Sequence, residues 1–92
     1  MIIVTGHLTL DPGDRDAFVS DSIEFVRVAR DTPGCLDFAV SADPIEVERV
    51  NVLERWESAA TLEAFRGAGP DDASAARILQ LDVHDYEATP IA

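Results

Sequence analysis

Two residues near the end of the chain have side chains suited to chemistry on a phenol. His84 and Tyr86 are two positions apart, so in an extended strand they lie on the same face. A histidine can accept a phenolic proton near neutral pH, and a tyrosine can orient the substrate oxygen. The competing interpretation is an exposed histidine beside a packed tyrosine. His7, in the first apolar run, is a second candidate base, or else an interior histidine with its hydrogen bonds satisfied.

The segment from residue 51 to 57 carries three more side chains of interest. Asn51 can bind a ligand carbonyl or form an interface hydrogen bond. Trp56 can stack on an aromatic substrate, although its place at the end of an apolar strand face favours a core tryptophan with a hydrogen-bonded N–H. Glu54 shares that face, and a buried carboxylate needs a partner. Glu54 therefore either forms a structural ion pair with an arginine or is an acid whose pKa is perturbed near a pocket. The arginines that could pair with it are Arg49, Arg55 and Arg66.

The other reactive residue types form no familiar motif. Cys35 is the only cysteine, so no intramolecular disulfide is possible, which indicates a reducing compartment such as the cytoplasm. No basic neighbour in sequence activates this thiol, and we interpret it as inert. The two histidines lack metal-ligand spacing, and no glycine-rich nucleotide motif follows a strand. The sequence therefore predicts neither a metal nor another cofactor.

Composition narrows the class of partner. Among 92 residues there are 18 acidic side chains against 7 basic ones, all arginine, and the formal net charge is -11. Such a charge repels phosphate backbones and anionic lipids, so we expect neither nucleic acid nor a membrane as a partner. No basic N-terminal stretch precedes an apolar run, and no apolar run approaches the roughly 20 residues of a membrane span. The length and the 47% apolar content favour one globular domain over residues 1–92.

Hydrophobic periodicity predicts the elements that carry these side chains. Alternation of apolar and polar residues predicts strands over 2–10, 35–41, 48–57 and 81–87. In the first strand Val4 and Leu8 share a face that His7 does not. The predicted core faces of the two middle strands are Leu36, Phe38 and Val40 in one, and Val50, Val52, Glu54 and Trp56 in the other.

Two helical stretches separate these strands. The spacing of apolar residues predicts a helix from about Asp14 to Arg30, and Ser58 is a candidate N-cap for a second helix over roughly 59–66. Glycines and a proline interrupt that second helix, and Asp71 or Asp72 can restart it through Leu79; the interrupting residues are Gly67, Gly69 and Pro70.

The resulting order, βαββαβ, predicts an α+β fold of the ferredoxin-like type, with an antiparallel sheet and both helices on one face. The other face of the sheet carries apolar residues and has no cover in this arrangement. A second copy of the chain, packed sheet against sheet, is the economical cover, so a homodimer is expected.

Several segments, spread over nearly the whole chain, resemble antibiotic biosynthesis monooxygenase domains. They are DTPGCLDF at 31–38, LERWES at 53–58 followed by LEA at 62–64, LDPG at 10–13 with Phe18, and Asp82-Val83 with Tyr86. The resemblance implies a dimeric α/β barrel with a pocket in each subunit between sheet and helices. Relatives of this type include cofactor-independent oxygenases that convert phenols or hydroquinones to quinones. Others degrade haem or isomerise small metabolites.

The sequence departs from this pattern at two positions. Phe65 stands where many such domains have a histidine, and Gly6 stands where the haem-degrading branch has asparagine, so haem degradation is not expected. The resemblance implies a cofactor-free monooxygenase that oxidises a phenol, a hydroquinone or a polyketide-like aromatic with O₂. His84 or His7 would be its base and Tyr86 its orienting residue, and substrate would contact Asn51, Trp56 and Phe65.

Two other functions stay open at this point. The first is a non-catalytic ligand-binding or stress-response dimer, which the phenylalanine at position 65 favours. The second is an isomerase or cyclase of a polyketide-like intermediate, which needs the same base but no oxygen.

Overall fold

Four strands and four helices make up the part of the chain, residues 1–68 and 72–92, that a computed structural model describes. In chain order they are β1 (Ile2–Leu10), α1 (Arg15–Asp21), α2 (Ile23–Arg30), β2 (Cys35–Ala42), β3 (Arg49–Trp56), α3 (Ala59–Ala68), α4 (Asp72–Ala76) and β4 (Ile78–Glu87).

The strands form one antiparallel sheet in the order β2-β3-β1-β4. The central strand β1 pairs with β3 on one side and with β4 on the other, so that Val4 lies opposite both Glu54 and Asp85. The predicted ferredoxin-like α+β fold is confirmed.

The core lies between the helices and one face of the sheet. Val4, Leu8 and Leu10 of β1 are buried with Trp56 and Phe18. Because side chains alternate along a strand, His7 and its neighbours at 3, 5 and 9 lie on the opposite face. We call this second surface the helix-free face.

Two of the sequence expectations for the helices need correction. The first helix is divided at Ser22, whose hydroxyl donates a hydrogen bond to the Val19 carbonyl oxygen at 2.7 Å, and side chains that bond to the preceding turn in this way bend helices. The restarted second helix ends at Ala76 rather than continuing through Leu79. Its continuation is β4, which begins three residues earlier than expected because Ile78 pairs with Leu10. Gly69, Pro70 and Asp71 lie outside the described residues.

A β-bulge at the start of β2 interrupts the alternation that the sequence predicted, and this expectation needs correction. Cys35 lies opposite Trp56 and Asp37 lies opposite Arg55, so Leu36 is the extra residue. Leu36 is therefore 45% exposed, and Cys35 packs against the core in its place. From Phe38 onward the predicted faces hold.

At Gly6, in the middle of β1, the backbone lies close to the backbone of the neighbouring strand β4. The φ of Gly6 is +149°, and a Cβ there would collide with the carbonyl of Asp82 on the neighbouring strand. Only glycine adopts this conformation without strain, so this residue allows β4 to pair closely with β1.

Within the described residues, no helix is long and apolar enough to cross a bilayer.

Candidate functional site

A cavity of about 360 Å³ lies between the helix-facing side of the sheet and the helices α1, α2 and α4. This volume lies within the range of about 300–1,000 Å³ that is typical of small-molecule sites. The walls are mainly apolar, and their aromatic members are Phe18, Phe25 and Phe38. A small, flat, apolar molecule fits such a space.

Glu54 is the carboxylate that the sheet contributes to the lining of this cavity. The Trp56 indole N–H donates a hydrogen bond to Glu54 Oε1 at 2.9 Å. Burial raises the pKa of the Glu54 carboxyl above its ordinary value, against the opposing effects of the Trp56 hydrogen bond and the charge of Arg66. Glu54 thus has the features of a proton acceptor in an apolar site.

The sequence left an ion pair and a perturbed acid as alternatives for Glu54, and the structure favours the perturbed acid. Each candidate arginine lies within ion-pair distance of a different carboxylate: Arg49 and Asp43 at 3.7 Å, Arg55 and Asp37 at 3.8 Å, and Arg66 and Asp85 at 2.7 Å.

Trp56 is a core residue, as the favoured interpretation predicted. It is 0% exposed, and its ring centroid lies 5.0 Å from that of Phe65. Phe65 in turn packs against Phe25 and Phe38, at 5.4 and 5.7 Å between centroids. Phe25 and Phe38 line the cavity, whereas Trp56 and Phe65 are not among its lining residues. Their predicted contact with substrate, which stays a prediction, would therefore be indirect at this cavity.

The three predicted catalytic residues lie on the helix-free face. His84 is opposite Thr5 and Tyr86 is opposite Ile3. His7 and His84 converge on one carboxylate, Asp82, with Nε2 to oxygen distances of 3.9 and 3.0 Å. The structure thus brings the two histidines together, but on the other side of the sheet from the cavity.

Asn51 is engaged in a hydrogen-bond network at the β2–β3 connection. Its side-chain amide donates to Asp43 Oδ1 at 2.9 Å, and its Oδ1 accepts from Arg49 Nε at 2.7 Å. The backbone amides of Glu46 and Ile45 also donate to Asp43, and together these bonds lower the pKa of Asp43 to about 2. The ligand-binding role predicted for Asn51 would have to compete with this network.

Arg77 closes one side of the cavity, and sequence reasoning missed this residue. Its guanidinium donates two hydrogen bonds to Asp14, both at 2.8 Å, and one to Asp21 at 2.9 Å. It also lies over the Phe18 ring, 5.3 Å from the centroid. Arg77 thereby fastens the start of β4 to α1. Since its partners are more than 50 residues away, no local motif could have revealed it.

Cys35 fits the interpretation of an inert thiol. Its Sγ donates to the Asp37 carbonyl oxygen at 3.5 Å, and burial raises the thiol pKa. Within residues 1–68 and 72–92, no group of three histidine, cysteine or acidic side chains has the geometry to hold a metal ion.

The sheet order, the helices on one face and the apolar cavity between them define a ferredoxin-like α+β domain with an internal apolar cavity. The chain belongs to the antibiotic biosynthesis monooxygenase family, whose model matches residues 1–74. The resemblance noted from the sequence is therefore confirmed.

Solved structures with the same fold cover nearly the whole chain. A proposed antibiotic biosynthesis monooxygenase from Deinococcus radiodurans superposes with a TM-score of 0.84 at 18% identity, covering 100% of this chain and 96% of that one. The protein PA3566 from Pseudomonas aeruginosa superposes with a TM-score of 0.81 at 17% identity, covering 97% and 94%. At such identities the likeness establishes the fold alone.

A curated relative is the uncharacterized protein sll1783 of Synechocystis. It is 27% identical over 62 residues, which are 67% of this chain and 42% of the relative. The chain thus spans less than half the length of that protein.

Proposed function

We propose that this chain is a cofactor-free monooxygenase that oxidises a small neutral phenol, one with an unsubstituted para carbon, with O₂ in the cavity between sheet and helices. The observation that carries the proposal is the Glu54 carboxylate, half-buried in an apolar cavity and held by the Trp56 indole. Family membership supports the reaction class. We place the reaction in the cytoplasm because the only cysteine is unpaired.

In this proposal Glu54 is the general base, the role that the sequence analysis predicted for a histidine. No histidine is among the described residues lining the cavity, whereas a carboxylate of raised pKa can accept a phenolic proton. The other acidic residue in the lining, Asp21, is paired with Arg77, so the negative charge that faces a ligand is that of Glu54, and it disfavours anionic ligands. The expected substrate therefore carries a hydroxyl group and no carboxylate.

The proposed reaction converts a phenol with an unsubstituted para carbon, and O₂, into a para-quinone and water. Glu54 first accepts the phenolic proton, and the phenolate passes one electron to O₂ to form a radical and superoxide. These combine at the para carbon, and the protonated Glu54 delivers its proton to the resulting peroxide. Glu54 then removes the para C–H proton while the O–O bond breaks, which leaves the quinone carbonyl and hydroxide. The hydroxide takes up this proton and becomes water.

Apolar walls serve this chemistry in two ways. Phe18, Phe25 and Phe38 exclude water from the radical pair, and they orient a flat ring by packing against it. The protein supplies position and proton transfer, and the substrate is its own reductant.

Filling the cavity tests this location. Ala75 lines the cavity and its exposed neighbour Ala76 does not, so the substitutions Ala75→Trp and Ala76→Trp are a matched pair. We expect Ala75→Trp to abolish protein-dependent O₂ consumption with a panel of phenols unsubstituted at the para carbon, and Ala76→Trp to retain it, at equal melting temperature. Wild-type O₂ consumption in both variants would place the reaction outside this cavity.

Wild-type protein without O₂ consumption on the whole panel would refute the proposed reaction. If the same ligands then raised the melting temperature, and Ala75→Trp abolished that increase, the non-catalytic binding function would take its place. Product formed without O₂ would instead indicate an isomerase or cyclase.

We also propose that two copies pack through their helix-free faces. This face carries Leu53, 38% exposed, and Tyr86, 51% exposed, between polar side chains. Burying these apolar side chains against a symmetry-related copy favours association.

Placing a charge on this face is expected to dissociate the dimer. Leu53→Glu should sediment as a monomer at a protein concentration where the wild-type chain sediments as a dimer. The matched control is Ile45→Glu, since Ile45 is 85% exposed in the β2–β3 connection. A wild-type monomer, or a dimeric Leu53→Glu variant, would contradict the proposed interface.

A further inference from the structure

Glu54 and Asp85 are equivalent positions on the two strands that flank β1. Both lie opposite Val4, and all three side chains face the helices. With neighbouring strands about 4.8 Å apart, the two acidic residues have Cα atoms roughly 10 Å apart. One long side chain above Val4 can reach either carboxylate.

Arg66 is that side chain. It extends from α3, and its two terminal nitrogens donate to the two Asp85 oxygens at 2.7 and 2.8 Å. This two-pronged contact fixes both the position and the plane of the guanidinium. Both side chains are 47% exposed, so the pair can exchange partners without a buried charge being stranded.

The Glu54 carboxylate, in contrast, accepts a hydrogen bond from a neutral group, the Trp56 indole N–H. The charge of Arg66 acts on Glu54 from beyond ion-pair distance. The cavity wall therefore holds a carboxylate on which the charge of Arg66 acts while the Arg66 guanidinium is bound to another acid.

We propose that Arg66 is a positioning residue with two alternative partners, and that Asp85 holds its guanidinium away from Glu54. When Asp85 releases it, Arg66 pairs with Glu54 and stabilises the carboxylate as an anion. Glu54 then loses its tendency to take up a proton. That consequence for catalysis rests on the proposed function, whereas the choice between two partners does not.

Other charged or titratable groups near Glu54 are Asp21 and Arg77 in the cavity lining and Cys35 on β2. Arg30 of α2 donates to the carbonyl oxygen of Phe38, which lies opposite Glu54, and the charge of Glu63 acts on Arg66. Arg77 is occupied by Asp14 and Asp21, and Cys35 carries no charge at neutral pH because burial raises its pKa. Arg66 and Asp85 are therefore the pair whose rearrangement changes the electrostatic field at Glu54.

The test is the midpoint of the Glu54 side-chain carboxyl in a ¹³C NMR titration of the full chain. We expect Asp85→Asn to lower this midpoint by about one pH unit, because an arginine within ion-pair distance favours the charged carboxylate. Arg66→Gln should raise it. In the double variant Arg66→Gln with Asp85→Asn, the effect of the asparagine should fall to less than half, because only the lost Asp85 charge then contributes.

An undiminished effect of Asp85→Asn in the Arg66→Gln background would overturn the proposal, since Asp85 would then act through its own charge alone. So would an unchanged or raised midpoint in Asp85→Asn. The matched controls are Arg27→Gln and Asp16→Asn, which change the same charges at exposed positions on α2 and α1. They should leave the midpoint in place.

The same variants separate this proposal from the proposed function. If Glu54 is the base, the low-pH limb of O₂ consumption should move with the NMR midpoint, to lower pH in Asp85→Asn and to higher pH in Arg66→Gln. If the NMR midpoints move but the activity profile does not, the proposal that Arg66 has two alternative partners stands, and the assignment of Glu54 as the base is refuted.

Discussion

Glu54→Gln is expected to lower the rate of O₂ consumption with a phenol unsubstituted at its para carbon by at least about 100-fold, the usual contribution of a general base. Glutamine keeps the shape of the side chain and can still accept the Trp56 hydrogen bond at 2.9 Å, but it cannot take up the phenolic proton. Binding should therefore be nearly unchanged. An oxygen electrode measures the first quantity, and ligand-induced stabilisation measures the second.

The variants His84→Ala and His7→Ala test the alternative assignment, in which a histidine is the general base. Both histidines lie on the helix-free face, next to Asp82 and away from the cavity. A loss of turnover in His84→Ala, with Glu54→Gln still active, would move the reaction to that face and make the sequence-based choice of base the correct one.

Gly6→Ala is expected to destabilise the fold by about 2–6 kcal/mol, the sum of backbone strain and overpacking. The φ of +149° is unfavourable for alanine, and the added Cβ meets the Asp82 backbone, which cannot move without separating β1 from β4. Urea denaturation at fixed protein concentration measures the change.

Gly67→Ala is the matched control, with the opposite sign. Gly67 lies in α3, is exposed, and has nothing within 4 Å of an added Cβ. The better helix propensity of alanine should stabilise the fold by up to about 1 kcal/mol. Equal effects of the two substitutions would show that the close approach at Gly6 has no energetic importance.

The hydrophobic periodicity of the sequence predicted the fold well, because burial of one face of a sheet requires apolar residues at alternate positions of each strand. The alternation through Val50, Val52 and Trp56 identifies the core side of β3, and the structure agrees. The bulge at Leu36 and the helix break at Ser22 were missed because each depends on a local backbone choice that the apolar pattern does not encode.

The candidate site was less accessible to sequence reasoning. The sequence identified Glu54 and left its state open, because that state depends on which partner each arginine selects across the sheet. His84 and Tyr86 do share a face, as their spacing predicts. Which face borders the cavity depends on where the helices pack, and one strand considered alone does not contain that information.

The strand order has a consequence for biosynthesis. The interior strand β1 is synthesised before both of its partners, and β4 is the later of the two. Until residues 78–87 have left the ribosome, one edge of β1 has no partner, and the cavity lacks the side that Ile78, Leu81 and Val83 supply. The cavity is thus completed only after β4 has been synthesised, and a nascent chain that stalls before β4 exposes an apolar strand edge suited to aggregation.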